Sequence, residues 1–414
     1  MMNPSRKQFL HSGLGLTAVA ALPSIFPRRE KSDRERQREV QRTMNREWIG
    51  KSREDLPTPS LILDLDGFEH NLNKMARHAS ENGVDLRPHA KMHKSPQIAR
   101  KLVEAGAIGA CAATINEAEM LADAGVGGIL ITGELVGPNK LRRLVELVRR
   151  APDTMAVVDH VTHADELSRA AESAGVTIQL MMDVDPVGRR TGVQPGEPAL
   201  QLARYVSTRP GLNLRGIHSY SGASSHVRGF DERKAHSHEV MAGPIQTYNT
   251  LRDEGMELEI FSGGSTGTYN IDTELDEFTE LQVGSYLFMD IDYKIIGGQS
   301  GPVYDDFHQA LRVLGTVVSK NHEDRATTDA GIKSFAADRS FGPELVGVDG
   351  VNYRFGGDEH GILVFEDPSR QIRRGDKIEF YVPHCDPNVN LYSRLFAMRG
   401  DTVEDVWEIA GKHL

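Results

Sequence analysis

MAVVDHVTHADELSRAAESAGVTIQLMMDVD, residues 155–185, holds two apolar runs, Met155 to Asp159 and Thr177 to Asp185, around a helical pattern from His163 to Ala174. Apolar, β-branched runs alternating with helices are expected of βα units around a parallel sheet. The same rhythm extends in both directions. Upstream lie LILDLD (Leu61 to Asp66), VDLRPH (Val84 to His89), GACAAT (Gly109 to Thr114) and GILITG (Gly128 to Gly133). Downstream lie LRGIHSY (Leu214 to Tyr220) and LEIFSGG (Leu258 to Gly264), with helical patterns such as Asn116 to Ala124 and Asn139 to Arg149 in between. Eight units in this span predict a (β/α)8 TIM-type barrel over residues 55–295.

After Tyr293 the rhythm changes. Gly, Pro and Asp clusters separate the strand-like runs LRVLGTVVS, YRFGG, GILVFED and KIEFYVP, with no long helix before Thr402. This predicts a C-terminal β-rich domain over 296–414.

The chain has 414 residues with 39% hydrophobic content, enough for a large buried core. Its 59 acidic against 48 basic residues give a net charge of -11, which argues against a nucleic-acid partner. Cys111 and Cys385 are too few for a disulfide scaffold. Residues 1–27 are basic at the start, then apolar from about Leu14 to Leu22, and read as an export signal too short to span a bilayer. Ser5 to Leu10 resembles the bacterial twin-arginine signal, with Lys7 replacing the second arginine. The expected location is periplasmic or otherwise exported, with a cytoplasmic protein as the alternative. Charge-rich residues 28–54 read as a linker.

In such a barrel, reactive groups belong at the C-terminal ends of the strands. RPHAKMHK (Arg87 to Lys94) follows the second candidate strand, and neighbouring cations there are expected to depress a lysine's pKa and favour Schiff-base chemistry. FSGGSTGTY (Phe261 to Tyr269) offers glycines, hydroxyls and backbone N–H groups that suit a phosphate. An amine at one strand end and a phosphate cradle at another point to pyridoxal phosphate. In PHCDPN, His384 and Asp386 stand at i and i+2 of an expected extended segment, so both would face one side and grip a cation while Cys385 points away. The alternative brings Cys385 into a softer, zinc-like site. MMDVDPVGRRTGV supplies Arg190 for a cofactor ring, and GIHSYSGASSH supplies Tyr220 and His226 as acid–base groups. ELQVGSYLFMD places Ser285 and Tyr286 where they complete the phosphate loop or link the domains.

Together, TPSLILDLDGFEHNL (Thr58 to Leu72), RPHAKMHK, Thr114 with Glu117 to Glu119, DVDPVGRRTGV, GGSTGTY, VGSYLFMD and PHCDPNVNL resemble the fold-type III pyridoxal-phosphate enzymes. Within those, they resemble the D-threonine aldolase and D-serine dehydratase group. The resemblance implies that Lys91 carries the cofactor and that Lys94 is a nearby structural cation. It implies that Gly264, Ser265, Thr266, Gly267, Ser285 and Tyr286 hold the phosphate, that Arg190 and Tyr220 lie against the ring, and that His384 and Asp386 bind a divalent metal. A homodimer is also implied. The His-x-Asp spacing is similar to that of the aldolases, whereas the dehydratases have His-x-Cys. Oxygen donors favour Mn2+ or Mg2+ over Zn2+. The expected reaction is cleavage of a D-3-hydroxy amino acid to glycine and an aldehyde, with His226 acting on the substrate hydroxyl. A dehydratase giving a 2-oxo acid and an amino-acid racemase are the alternatives.

Overall fold

A computed structural model describes residues 45–412. The export signal and most of the linker lie outside the described residues. Strand β1 (Ser60–Asp64) is followed by eight short parallel strands: β2 (Asp85–Leu86), β3 (Ala110–Ala112), β4 (Ile129–Ile131), β5 (Met155–Val158), β6 (Ile178–Asp183), β7 (Leu212–Ser219), β8 (Ile260–Gly263) and β9 (Glu280–Leu281). They are ordered β2-β9-β8-β7-β6-β5-β4-β3. A bridge between His89 and Cys111 joins the two ends, so the barrel closes.

The helices between them form for local reasons. Asp64 caps the helix Leu65–Asn82 by accepting from the Asp66 amide, and Gly83 ends it at φ 67°. Thr114 caps Ile115–Asp123 through the Glu117 amide at 3.3 Å. Inward-facing Cys111, Leu130, Met155, Val157 and Met181 form a small cluster of their own, apart from the main core. Above it the interior turns polar. Arg87 and Glu280 pair in two bonds of 2.8 and 2.7 Å, and Ser262 donates to the same carboxylate at 2.6 Å. Arg87 thus belongs to the barrel interior rather than to a basic surface patch.

The second layer is a nine-stranded sheet built from β1 together with β10 (Leu311–Ser319), β11 (Arg325–Thr328), β12 (Glu344–Leu345), β13 (Val351–Phe355), β14 (Gly361–Phe365), β15 (Lys377–Tyr381), β16 (Arg394–Arg399) and β17 (Thr402–Glu408). Three assignments from the sequence change here. The run at Leu61 is not a barrel strand: β1 lies in the other sheet, antiparallel to β10 (Ile62 opposite Arg312) and parallel to β16 (Ile62 beside Phe396). A strand buried on both faces reads the same in either sheet, so periodicity cannot assign it. The eighth barrel strand is β9, hidden because its inward residue is the charged Glu280. The end of the expected linker also joins the sheet domain, where Gly50 donates to Val403 at 2.9 Å and Trp48 packs edge-on against Phe396.

Candidate active site

Lys91 stands in a single 3-10 turn, Ala90–Met92, at the mouth end of β2. Its side chain enters a cleft lined by His89, Thr132, Glu134, Arg190, His218, Tyr220 and Gln282. A smaller chamber shares Lys91, His89, Tyr220 and Gln282 and adds Gly264, Ser265, Thr266, Ser285 and Tyr293. The structure thus brings Lys91 and Tyr220 between two adjoining pockets, one holding Arg190 and the other the start of the Gly-Ser-Thr loop.

The turn is fixed by Lys94, which adopts φ 50°. Lys94 Nζ donates to the Lys91 carbonyl at 2.8 Å and pairs with Glu117 at 2.7 Å. The other Glu117 oxygen accepts from the Ala113 amide at 2.6 Å. The structural role expected for Lys94 is visible in these contacts.

The Lys91 ammonium is ion-paired with Asp386. Burial alone would lower its pKa, but the Asp386 carboxylate outweighs burial and holds it above its ordinary value. This reverses the expected depression, because the neighbouring cations are spoken for elsewhere: Arg87 by Glu280 and Lys94 by Glu117. Burial also leaves the nearby histidines neutral, with His89 held well below its usual pKa and His218 lowered to about 4. His89 Nδ1 accepts from the Lys91 amide at 3.4 Å, which leaves Nε2 to donate to Thr132 at 3.1 Å. Gln282 donates to His218 Nδ1 and to Ser262, both at 2.8 Å. Across the cleft, burial and then the Asp183 carboxyl push Glu134 up to about 7.

The phosphate loop follows β8, the seventh barrel strand. Within the described residues, the Thr266 and Gly267 amides make no hydrogen bond and remain free as donors. A Cβ on Gly267 would stand 2.1 Å from the Ser225 carbonyl oxygen, so only glycine fits there. This backbone cradle fits a phosphate. Gly267 and Tyr286 do not line the chamber with their side-chain positions. Tyr286 is fully buried against Phe307, while its amide donates to Thr266 Oγ1 at 2.9 Å and braces the loop from behind. Ser265 is bonded to Thr268 at 2.9 Å.

The sheet domain supplies the facing rim. The helix Cys385–Asn390 begins right after His384, so Asp386 lies in a first helical turn and not on an extended strand. The expected extended segment is therefore replaced by the start of a helix. His384 Nδ1 meets Asp338 at 2.7 Å, whereas Asp386 meets Lys91 and accepts from Ser285 at 3.3 Å. No group of three or more His, Cys, Asp or Glu residues arranged for a metal occurs among the described residues. The imidazole and carboxylate at this turn are donors of the right chemistry for a cation that completes its shell with water or substrate oxygens. Cys385 is a free, fully buried thiol, and burial pushes its pKa well up.

Tyr220 and His226 separate. Tyr220 lies in the cleft beneath Arg190, whose guanidinium carbon is 5.4 Å from the ring centroid. His226 sits at the margin, against Tyr293, with Nε2 3.1 Å from Asp292 and Nδ1 3.4 Å from the Gly222 carbonyl. Burial opposes its charge, yet the Asp292 hydrogen bond raises its pKa. Arg339 links this pair to the other rim, bonding Asp292 at 2.8 Å and Asp338 at 2.7 Å. Asp292, Asp338 and Arg339 escaped the sequence reading. Asp292 stands two residues after the end of VGSYLFMD and was within reach, whereas Asp338 and Arg339 lie in a loop with no motif.

This fold and cleft define a class. The chain matches the family model "Alanine racemase, N-terminal domain" over residues 63–292 and "Putative serine dehydratase domain" over residues 310–398. It belongs to the alanine racemase N-terminal domain family, the barrel enzymes of pyridoxal phosphate. Among individual relatives, it is 37% identical over 355 residues to the D-threonine aldolase of an Arthrobacter species, covering 86% of this chain and 92% of that one. It is 34% identical over 367 residues to the 3-hydroxy-D-aspartate aldolase of Paracoccus denitrificans, covering 88% and 94%. The crystal structure of D-threonine aldolase from Filomicrobium marinum superposes with a TM-score of 0.84 at 39% identity, covering 87% and 97%.

Proposed function

We propose that the protein is a pyridoxal-phosphate-dependent lyase that cleaves D-3-hydroxy amino acids to glycine and an aldehyde. The observation that carries this reading is the pocket joining Lys91 to the Gly264–Thr266 loop, with Asp386 paired to Lys91. The aldolase relatives support it.

The bound cofactor supplies an electron sink for the pair released when the Cα–Cβ bond breaks. Lys91 holds the cofactor, and the Thr266 and Gly267 amides take its phosphate. Arg190 and Tyr220 close one side of the ring site, and neutral His89 and His218 keep that site free of extra positive charge. A divalent cation on His384 and Asp386, with Mn2+ or Mg2+ favoured by the oxygen donor, would polarise the substrate's β-hydroxyl. Loss of the hydroxyl proton drives cleavage, and the His226–Asp292 pair stands where a proton can be passed to solvent. Asp292 favours the protonated imidazole, so His226 must release a proton before it can act as a base.

Homodimer assembly and export through the signal at Ser5 to Leu10 belong to the same proposal. The first is supported by the family resemblance and the second by the basic and apolar character of residues 1–27.

The test is to incubate the purified enzyme and cofactor with D-threonine, D-phenylserine, D-3-hydroxyaspartate and D-serine, with and without a chelator. Glycine and the matching aldehyde are expected from the 3-hydroxy substrates with a substituted Cβ. Pyruvate from D-serine with no glycine from any substrate would replace this reading with a dehydratase.

A further inference from the structure

Arg233 is the largest charged side chain with no exposed surface in the described structure, and no carboxylate bonds to it. It lies in the first turn of the helix Phe230–Asp253, where the helix dipole also disfavours a cation. All its bonds go to backbone carbonyls. Nε donates to Gly267 at 2.7 Å, Nη1 to Val227 at 2.9 Å, to Ile296 at 3.2 Å and to Gly229 at 3.3 Å, and Nη2 to Gly297 at 2.8 Å. Burial lowers its pKa, and the acidic groups acting on it are Tyr304, Asp306 and Tyr293, none of them in an ion pair with it. A buried charge is normally paired, because desolvation costs several kcal/mol per ion, roughly, unless a partner offsets it.

The first of those acceptors is a carbonyl of the phosphate loop itself. The neighbouring Thr266 carbonyl is held the same way, by the Tyr304 hydroxyl at 2.5 Å. In a trans peptide C=O and N–H point in opposite directions, so pinning the Thr266 carbonyl backwards aims the free Gly267 N–H the other way. Arg233 and Tyr304 therefore draw the loop's negative ends into the protein. What they leave exposed is a positively biased concave face, with a full buried charge one peptide behind it.

We propose that Arg233 is the built-in countercharge of a phosphate dianion bound at Gly264–Gly267. Its forked contacts make it the positioning residue that couples phosphate occupancy to the order of the Val227–Gly229 and Ile296–Gly297 segments. The first of these segments follows His226 and the second follows Tyr293, on which the His226 ring rests. The inference rests on the cofactor reading only for the identity of the phosphate carrier.

The experiment uses apoprotein, wild type and the variants Arg233→Gln and Arg233→Lys, with inorganic phosphate, pyridoxal phosphate and unphosphorylated pyridoxal as separate probes. Binding is read by thermal shift for phosphate and by absorbance for the two aldehydes. Arg233→Gln keeps one amide donor and loses the charge. It is expected to weaken pyridoxal phosphate by about tenfold or more, the scale of one charge interaction at the effective dielectric of protein, and to abolish protection by inorganic phosphate. Pyridoxal should change less than about twofold, well below that one-charge scale. Arg233→Lys keeps the charge and should retain phosphate protection. Equal losses for pyridoxal and its phosphate in Arg233→Gln, or no loss for either, overturn the proposal. Should the Gln variant fail to fold, loss of phosphate protection in a folded Lys variant overturns it as well, and retention supports it. Wild-type protein that is stabilised by phosphate but gives no absorbance band with either aldehyde would sink the cofactor reading and leave the phosphate site standing.

Discussion

The two walls of the cleft are made differently. The wall from β8 and β9 is backbone and hydroxyls, with free amides at Thr266 and Gly267, and glycine where a Cβ would strike a carbonyl. The facing rim, from the sheet domain, the segment after β9 and the turn after β2, consists of charged side chains that satisfy one another: Lys91 with Asp386, His384 with Asp338, and Arg339 between Asp338 and Asp292. A backbone wall is fixed by the fold before any ligand arrives. The charged rim is a set of ion pairs that a ligand must exchange, so the first wall should govern affinity and the second the chemistry and its pH dependence.

The largest expected effect comes from Lys91, which belongs to both walls. Lys91→Ala should abolish the cofactor's absorbance band and reduce turnover by roughly 10^4 or more, as when one member of a catalytic unit is removed. Lys94→Met should keep the band. Its cost is in stability, about 3–5 kcal/mol for leaving Glu117 buried and unpaired, measurable by denaturant titration. A band that survives Lys91→Ala but not Lys94→Met would exchange their roles.

The next effect tests the rim. Asp386 keeps the Lys91 ammonium charged, and a charged amine cannot attack an aldehyde. Cofactor attachment to apoprotein should therefore speed up as pH rises. In Asp386→Asn the midpoint of that profile should fall by about one to three units, the usual reach of an adjacent opposite charge. An unshifted midpoint would show that the pair does not control the amine. The same variant should be insensitive to chelator if Asp386 is a metal donor.

Gly267→Ala breaks the other wall. With its Cβ placed 2.1 Å from the Ser225 carbonyl, the loop must shift, at about 1–3 kcal/mol for overpacking. Cofactor affinity should drop by about tenfold or more for a cost of that size, while the pH profile of attachment stays in place. A moved pH midpoint would mean that the two walls are not separable.

The contrast also explains what the sequence disclosed. GGSTGTY was legible because a backbone cradle demands Gly, Ser and Thr in one short run, and residue type and location coincide. RPHAKMHK was legible as an amine at a strand end, but its electrostatics were not. The carboxylates that decide the pKa of Lys91 and the pairing of Arg87 stand at Asp386 and Glu280, far away in the chain. The extended reading of His384 to Asp386 failed because the segment's own letters do not reveal that a helix begins right after His384. β1 was misplaced for a related reason: SLILD is buried on both faces, and either sheet would accept it.

The smallest effect separates positioning from chemistry on the rim. Asp292 raises the pKa of His226 above its ordinary value of 6.5, and its own carboxyl is held low by His226 and Arg339 against the opposing effect of burial. A histidine with a raised folded-state pKa contributes stability that is fully present below the unfolded value, about 6.5. That contribution is lost as pH rises through the folded value. Asp292→Asn should thus lower the melting temperature more at pH 6 than at pH 9, where only the pairing with Arg339 is lost, and the difference should be modest because His226 is about one-third exposed. Turnover should respond in the opposite sense. With the imidazole easier to deprotonate, the acid limb of the rate profile should move to lower pH, while the cofactor band and the phosphate site stay intact. If Asp292→Asn shifts the melting curve equally at both pH values and leaves the rate profile fixed, Asp292 serves only to pack the segment after β9, and His226 takes no part in the proton transfer.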